Sequence, residues 1–240
     1  MRFVFSFVIV LNAVVFAGEE EKISDNLVAR PLVDNIWVHT SYKNLAGRPF
    51  PSNGLIVVTS GSVLIVDTAW GDSVTTQLIK WIRKKFNKPI RWIVSTHFHD
   101  DRLGGIMEAH REHVPVIAYY LTKQLAEKNK LTLPDAVFAR DSTLSVDDTE
   151  LQVFYPGAGH SPDNIVVYVA PSRVLFGGCL VKSAESTDLG FTGDAVIHEW
   201  PKAVDNVMKK FPDAMIVIPG HGEAGGIDLL THTLDLLKEK

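Results

Sequence analysis

The sequence predicts an α/β fold in which two mixed β-sheets pack face to face with helices on the outside. Two observations carry that expectation. Strand pairs give way to strand–helix alternation, and they do so twice along the chain. His97, Cys179 and His221 each fall one to three residues past an apolar run, and His160 falls five past Leu151–Tyr155. Chemistry-bearing side chains thus collect at strand ends and in the loops after them, where a rigid scaffold presents function.

The elements follow in order. Ile36–Thr40, Leu55–Val58 and Val63–Asp67 read as strands, with a tight turn at Gly61-Ser62. A helix over 71–86 is predicted, capped by Asp72 or Ser73, with Val74, Leu78 and Ile82 at helical spacing. Ile90–Val94 is a buried strand that delivers Thr96-His97 into a loop. Gly104-Gly105 precedes a short helix over 106–112, then Val114–Ala118 as a strand and Thr122–Lys130 as a helix. Strands return at 150–155, 164–169 and 173–177. A Pro201-led helix carries Ala203, Val204, Val207, Met208 and Phe211 on one stripe, and strand 214–218 and a helix over 226–239 finish the chain.

The chain begins Met1-Arg2, runs apolar from Phe3 to Phe16 and reaches Ala17 before Gly18-Glu19. One positive charge, a short apolar core and a small residue describe an export signal of residues 1–17. That run is shorter than the roughly 20 residues a membrane-spanning helix needs. Removing 17 residues from 240 leaves 223, residues 18–240, a length that suits one domain. The formal net charge is −4 and no extended basic block occurs, which argues against nucleic acid as a partner. Nothing in the mature chain reads as a membrane span. The single cysteine, Cys179, excludes an internal disulfide. It reads either as a small buried hydrophobe after Val174-Leu175-Phe176 or as a metal ligand.

Six residues form a metal-binding inventory. His97, His99 and Asp101 lie two apart, and in an extended loop alternate side chains point the same way. His160 sits in Gly159-His160-Ser161, Cys179 follows Gly177-Gly178, and His221 lies between Gly220 and Gly222. Each of those three alone reads as a turn or core residue; together they supply three imidazoles for one cation and an Asp/Cys/His trio for another. Zinc accepts such donors tetrahedrally and can lower the pKa of bound water from ~15.7 to ~7, giving a hydroxide that attacks a carbonyl. Asp101 would then hold the second cation beside the reacting atoms. Lys182, three residues after Cys179, could hold a substrate carboxylate. Arg102 could donate to Asp101 or to the thiolate. Asp67 is either a partner that orients a ligand histidine or a plain buried carboxylate.

The pattern His97-x-His99-x-Asp101, Gly159-His160, Gly178-Cys179 and Gly220-His221-Gly222 resembles that of metallo-β-lactamases, in particular the broad-spectrum two-zinc subclass. Similarity extends over the mature chain, including Pro51-Ser52-Asn53-Gly54, Val66-Asp67-Thr68-Ala69-Trp70, Phe154-Tyr155-Pro156-Gly157 and Ser161-Pro162-Asp163-Asn164. The resemblance implies a four-layer αββα sandwich with two Zn2+ ions in a groove between the sheets. It implies hydrolysis of the β-lactam amide of penicillins, cephalosporins and carbapenems by a monomer that is periplasmic, or secreted from a Gram-positive host. Tyr42–Asn53 corresponds to a hairpin over the substrate, with Phe50 or Ala46 near its tip, Trp70 in the pocket wall and Asn164 and Lys182 among the substrate-binding residues. One departure stands out: Phe191 occupies the place where many relatives carry an asparagine, and its side chain cannot donate a hydrogen bond.

Two other readings compete. Thioester or phosphodiester hydrolases of the same superfamily usually carry a histidine directly after the Asp and a bridging Asp at the cysteine's place, where this chain has Arg102 and Cys179. A non-catalytic zinc-binding protein would need a closed ligand shell, whereas the three-histidine set leaves an open position.

Overall fold

A computed structural model describes residues 18–239, so the export signal read in residues 1–17 lies outside the described residues. The first sheet contains, in spatial order, β1 (Glu21–Ser24), β2 (Leu27–Val33), β3 (Ile36–Leu45), β4 (Arg48–Val58), β5 (Val63–Val66), β6 (Ile90–Ser95), β7 (Val116–Tyr119) and β8 (Ala136–Phe138). It is antiparallel through β5 and parallel from β5 to β8. The second sheet contains β9 (Ser142–Val146), β10 (Thr149–Phe154), β11 (Val166–Val169), β12 (Val174–Gly178) and β13 (Ile216–Pro219), ordered β13-β12-β11-β10-β9. Only the β12–β13 pair in it is parallel. Both sheets are therefore mixed, as the sequence predicts.

Three apolar clusters define four layers. Val38, Leu55, Val57, Leu64, Val66 and Val94 of the first sheet meet Leu151, Val153, Val167 and Phe176 of the second, all buried. Outside the first sheet, α1 (Asp72–Phe86) and α3 (Ile106–Arg111) bury Leu78, Ile79, Ile82, Ile106 and Ala109 against Ile65, Ile93 and Val116. Outside the second, α5 (Trp200–Lys210) and α6 (Asp228–Lys238) bury Trp200, Val204, Val207, Leu229 and Leu230 against Val166, Leu175 and Val217. Removing these side chains from water is the main stabilising contribution, about 25 cal/mol per Å² of apolar area. The helix α4 (Tyr120–Lys128) follows β7.

Several boundaries differ from the expected ones. Tyr42–Asn53 is not a connection between strands but the outer half of the β3–β4 ladder, paired from Tyr42↔Pro51 to Leu45↔Arg48. Its tip is Ala46-Gly47, both at positive φ (50° and 84°), the conformation that matches the twist of a two-residue hairpin. Pro49 and Pro51 cost no ladder bond. They share the parity of Asn53, whose N–H points away from β3 to the Gly220 carbonyl (2.9 Å). The strands β1, β2, β8 and β9, and the four-residue helix α2 (Asp100–Leu103), are additions to the expected elements.

The parallel portions matter most for function. The C-terminal ends of β5 and β6 in one sheet lie beside those of β12 and β13 in the other. Asp67, His97, Cys179 and His221 leave those four strand ends in turn.

Candidate metal centre

Each inventory residue reaches the site by a definable route. After β6, His97 and His99 occupy a bend, and the chain then turns into α2, where Arg102 and Leu103 N–H both bond the His99 carbonyl (2.9 Å). Asp101 converges with the histidines because it sits in the first turn of this helix. Alternation along an extended loop is therefore not the cause, although the same three residues meet. Cys179 follows Gly178, which adopts φ 54°. Gly220 must be glycine: a Cβ there would stand 2.6 Å from Cys179 Sγ and 2.7 Å from Arg102 Nη2. Asn53 donates to the Pro219 and Gly222 carbonyls (3.0 and 2.8 Å) and so fixes the loop that carries His221.

The six donors form two adjoining clusters. His99 Nδ1 lies 3.1 Å from His97 Nε2 and 3.2 Å from His160 Nε2. Cys179 Sγ lies 3.2 Å from His221 Nε2 and 3.6 Å from Asp101 Oδ2, and the last two atoms are 3.4 Å apart. His97, His160 and Cys179 also offer atoms within 4.8 Å of one another, so the clusters share a boundary. Tetrahedral zinc with bonds of about 2.0–2.3 Å sets its ligands roughly 3.3–3.7 Å apart. The donor spacings fit that cation.

The outer ring nitrogens support the fit. His99 Nε2 faces Asp194 Oδ2 at 3.0 Å, and His221 Nδ1 faces the Pro51 carbonyl at 2.6 Å. A proton on each outer nitrogen leaves the lone pair on the inner one, aimed at the cluster. His97 Nδ1 stands 3.4 Å from Thr96 Oγ1. Burial drives His97 and His160 well below the usual imidazole range, helped by their neighbours' charges. Burial and then Arg102 lower His221 to about 4. Neutral imidazoles with lone pairs turned toward one another repel unless a cation lies between them.

Arg102 lies behind the second cluster and is wholly buried. Its Nη2 donates to Cys179 Sγ (3.1 Å) and the Gly220 carbonyl (2.8 Å) and stands 2.9 Å from Asp101 Oδ2. Its Nη1 bonds the Asn53 carbonyl and stands 3.3 Å from Asp67 Oδ2. Both expected partners, Asp101 and the thiol, are therefore engaged. Burial opposes ionisation of Asp101, yet Arg102 and His221 hold it down at about 2. Burial pushes the Cys179 thiol up to about 12 despite Arg102 beside it, so a thiolate there needs further positive charge.

One expected role changes, that of Asn164, and Asp67 takes the second of its two readings, a buried hydrogen-bonded carboxylate. Asp67 orients no ligand histidine directly; it accepts from Thr96 N (2.7 Å) and Thr96 Oγ1 (2.9 Å) as well as facing Arg102. Asn164 does not reach the groove. It is buried, and its amide bonds Ser161 N (3.0 Å) and the Gly157 carbonyl (2.9 Å), bracing the loop that presents His160.

A groove of about 740 Å³ opens over the clusters, within the size range of small-molecule sites. His99, Asp101, His160 and His221 form its floor. Leu45, Phe50, Trp70 and Phe191 supply apolar walls, and Lys182 lines one side. The Phe50 ring lies 5.0 Å from the His221 ring, and Phe191, 63% exposed, lies 5.5 Å from the His99 ring. Lys182 is buried except at the groove and stands over the Trp200 ring at 5.3 Å. The sequence reading missed Asp194, Asn53 and Leu45. Asn53 lay inside a noted Pro-Ser-Asn-Gly motif, but Asp194 carried no local signal.

Comparison with known proteins agrees. The sequence profile of the metallo-beta-lactamase superfamily matches residues 47–221. A type 2 metallo-beta-lactamase of Bacillus cereus is 42% identical over 204 residues, which cover 85% of this chain and 80% of that one. One from Bacteroides fragilis is 35% identical over 241 residues, covering 100% of this chain and 97% of its own. The solved structure of a metallo-beta-lactamase from Pontibacter korlensis matches with a TM-score of 0.88 at 42% identity, covering 89% of this chain and 100% of that chain. A four-layer sandwich, two clusters of metal-capable side chains at one end of it, and this likeness over nearly the whole length place the chain in the metallo-β-lactamase superfamily.

Proposed function

We propose that this β-lactam hydrolase holds two zinc ions, one on His97, His99 and His160 and one on Asp101, Cys179 and His221. Its substrates are penicillins, cephalosporins and carbapenems, whose amide it opens to confer antibiotic resistance. Zinc supplies Lewis acidity that ionises water near neutral pH and polarises a carbonyl. The observation that carries the reading is the pair of adjoining donor clusters: His99 Nδ1 within 3.1–3.2 Å of His97 and His160, and Asp101, Cys179 and His221 within 3.2–3.6 Å of one another.

The chain's own residues do the rest. Lys182 offers an ammonium at the groove wall for the carboxylate that these drugs carry. Phe50, Trp70 and Phe191 take the drug's apolar groups and exclude water from that side. Phe191 offers no donor to the lactam oxygen, so no side chain at that place shares the developing charge. Asp67 and Arg102 hold Thr96, Asp101 and Cys179 in place from behind the groove.

We further place the mature chain, residues 18–240, in the periplasm as a monomer. The apolar run with Arg2 and Ala17 supports export, and no helix among the described residues is long and apolar enough to cross a membrane. The deciding experiment measures metal content and hydrolysis of a chromogenic cephalosporin. About two zinc ions per chain are expected, with turnover abolished by a chelator and restored by zinc. Turnover that survives complete metal removal would overturn the reading.

A further inference from the structure

The β3–β4 hairpin overhangs the groove, and its outermost tie to the body is a single carboxylate. Lys43 on β3 is directly opposite Phe50 on β4, so both side chains leave the same face of the hairpin. Phe50 turns to the Trp70 and His221 rings (6.4 and 5.0 Å). Lys43 Nζ reaches Asp100 Oδ2 at 2.6 Å and stands 5.2 Å over the Trp70 ring. Trp70 Nε1 donates to the same oxygen at 2.7 Å. Asp100 opens α2, and the next residue is the metal-facing Asp101.

The base of the hairpin is held independently. Trp70 N donates to Ser41 Oγ (2.9 Å), Ser52 Oγ donates to the Asp101 carbonyl (3.2 Å), and Pro51 accepts from His221. Beyond that level, no hydrogen bond or ion pair among the described residues joins residues 44–49 to the body. Among the described residues, Lys43–Asp100 is the only hydrogen bond or ion pair between hairpin and body at the level of Phe50, beside the ring contacts of Phe50 itself.

We propose that Lys43 and Asp100 form a latch that positions Phe50 over the His221 side of the groove, and that they thereby set the KM of β-lactams with bulky apolar substituents. They are positioning residues, because neither needs to touch the reacting atoms. The substrate side of this inference rests on the β-lactam reading above. The pair is 47% and 60% exposed, so solvent and salt weaken it. A tie of that strength holds the hairpin down while allowing it to lift for a large ligand.

The test is hydrogen exchange at the amides of residues 44–48 and 50, read by mass spectrometry on the purified full chain, beside KM for one bulky aromatic and one small β-lactam. Lys43→Ala should speed exchange there about threefold, the order of an exposed ion pair, while β6 stays unchanged. Lys43→Arg should restore the slow rate, and about 1 M salt should bring wild type toward the Lys43→Ala rate. KM for the bulky drug should rise more than KM for the small one. Equal exchange in wild type and Lys43→Ala would overturn the latch. Faster exchange with both KM values unmoved would overturn its positioning role. Loss of all turnover by wild type would sink the β-lactam reading alone, since exchange reads the latch without substrate.

Discussion

Arg102 and Cys179 meet inside the protein: a guanidinium with no exposed side-chain surface donates to the thiol at 3.1 Å, and the same Nη2 stands 2.9 Å from Asp101. Arginine is suited to this place because its planar fork serves Cys179, Asp101, Asp67 and two carbonyls at once, which a lysine ammonium cannot. Arg102→Ala would leave Asp67 and Asp101 buried without their cation. Breaking a buried pair costs about 3–5 kcal/mol. At roughly 2–4 °C per kcal/mol for a chain of this size, thermal unfolding should fall by around 10 °C. A calorimetric scan that shows no drop would mean the guanidinium is not what neutralises those carboxylates.

Replacing Cys179 with Ser keeps the volume but removes a soft donor that zinc binds well. Zinc titration of Cys179→Ser against a chelating dye should show one site weakened and the other kept. Hydrolysis should fall at least about tenfold, the lower end of losses seen even for residues behind the ligands. Unaltered stoichiometry and rate would remove the thiol from the metal site.

Lys182→Ala tests the opposite wall. The side chain carries the ammonium at the groove, while its backbone N–H bonds Thr233 Oγ1 (2.9 Å) and survives the change. Loss of the charge should raise KM for carboxylate-bearing β-lactams more than it lowers kcat, the pattern of a lost ground-state contact. Steady-state kinetics with KM unchanged would remove Lys182 from substrate binding.

The donor set was readable from the sequence because metal chemistry restricts residue type, and the apolar runs before His97, Cys179 and His221 marked strand ends. The central strands and α1, α5 and α6 were readable because burial on one or both faces leaves periodic or continuous apolar runs. What escaped was structure without that signature. The strand β2 contains Pro31, which lies past the reach of β1, so its missing N–H costs no ladder bond there. The edge strands β8 and β9 are short and largely exposed. The helix α2 has four residues, too few for any periodicity, yet it delivers Asp101 and Arg102. Asn164 carried a family likeness that did not say where its amide points, and packing turned it toward the His160 loop. Asp100 and Lys43 are distant in sequence and ordinary in type, and only the hairpin's register brings them together.

A buried histidine outside the site gives a final test. His39 has no exposed surface, and its ring nitrogens have no well-aligned partner, with the Val66 and Asp67 backbone beside it. Gly54 makes room for the ring, since a Cβ there would stand 2.1 Å from Nε2. Burial, and to a lesser degree the charge of Arg102, lowers its pKa to about 4 from the usual 6.5. The folded-state value is the depressed one, so the unfolded chain binds a proton between these values that the native chain refuses. The stability His39 contributes by staying neutral is complete above pH 6.5 and is lost as pH falls toward 4. At pH 4.5 the loss is on the order of 2–3 kcal/mol from this group alone. Urea unfolding of metal-stripped protein at pH 7 and pH 4.5 measures it, with His39→Gln as the comparison. The variant should lose less stability between the two pH values by about that amount, while the other histidines titrate equally in both proteins. Parallel pH dependences would show that His39 takes up its proton inside the folded protein as readily as outside it.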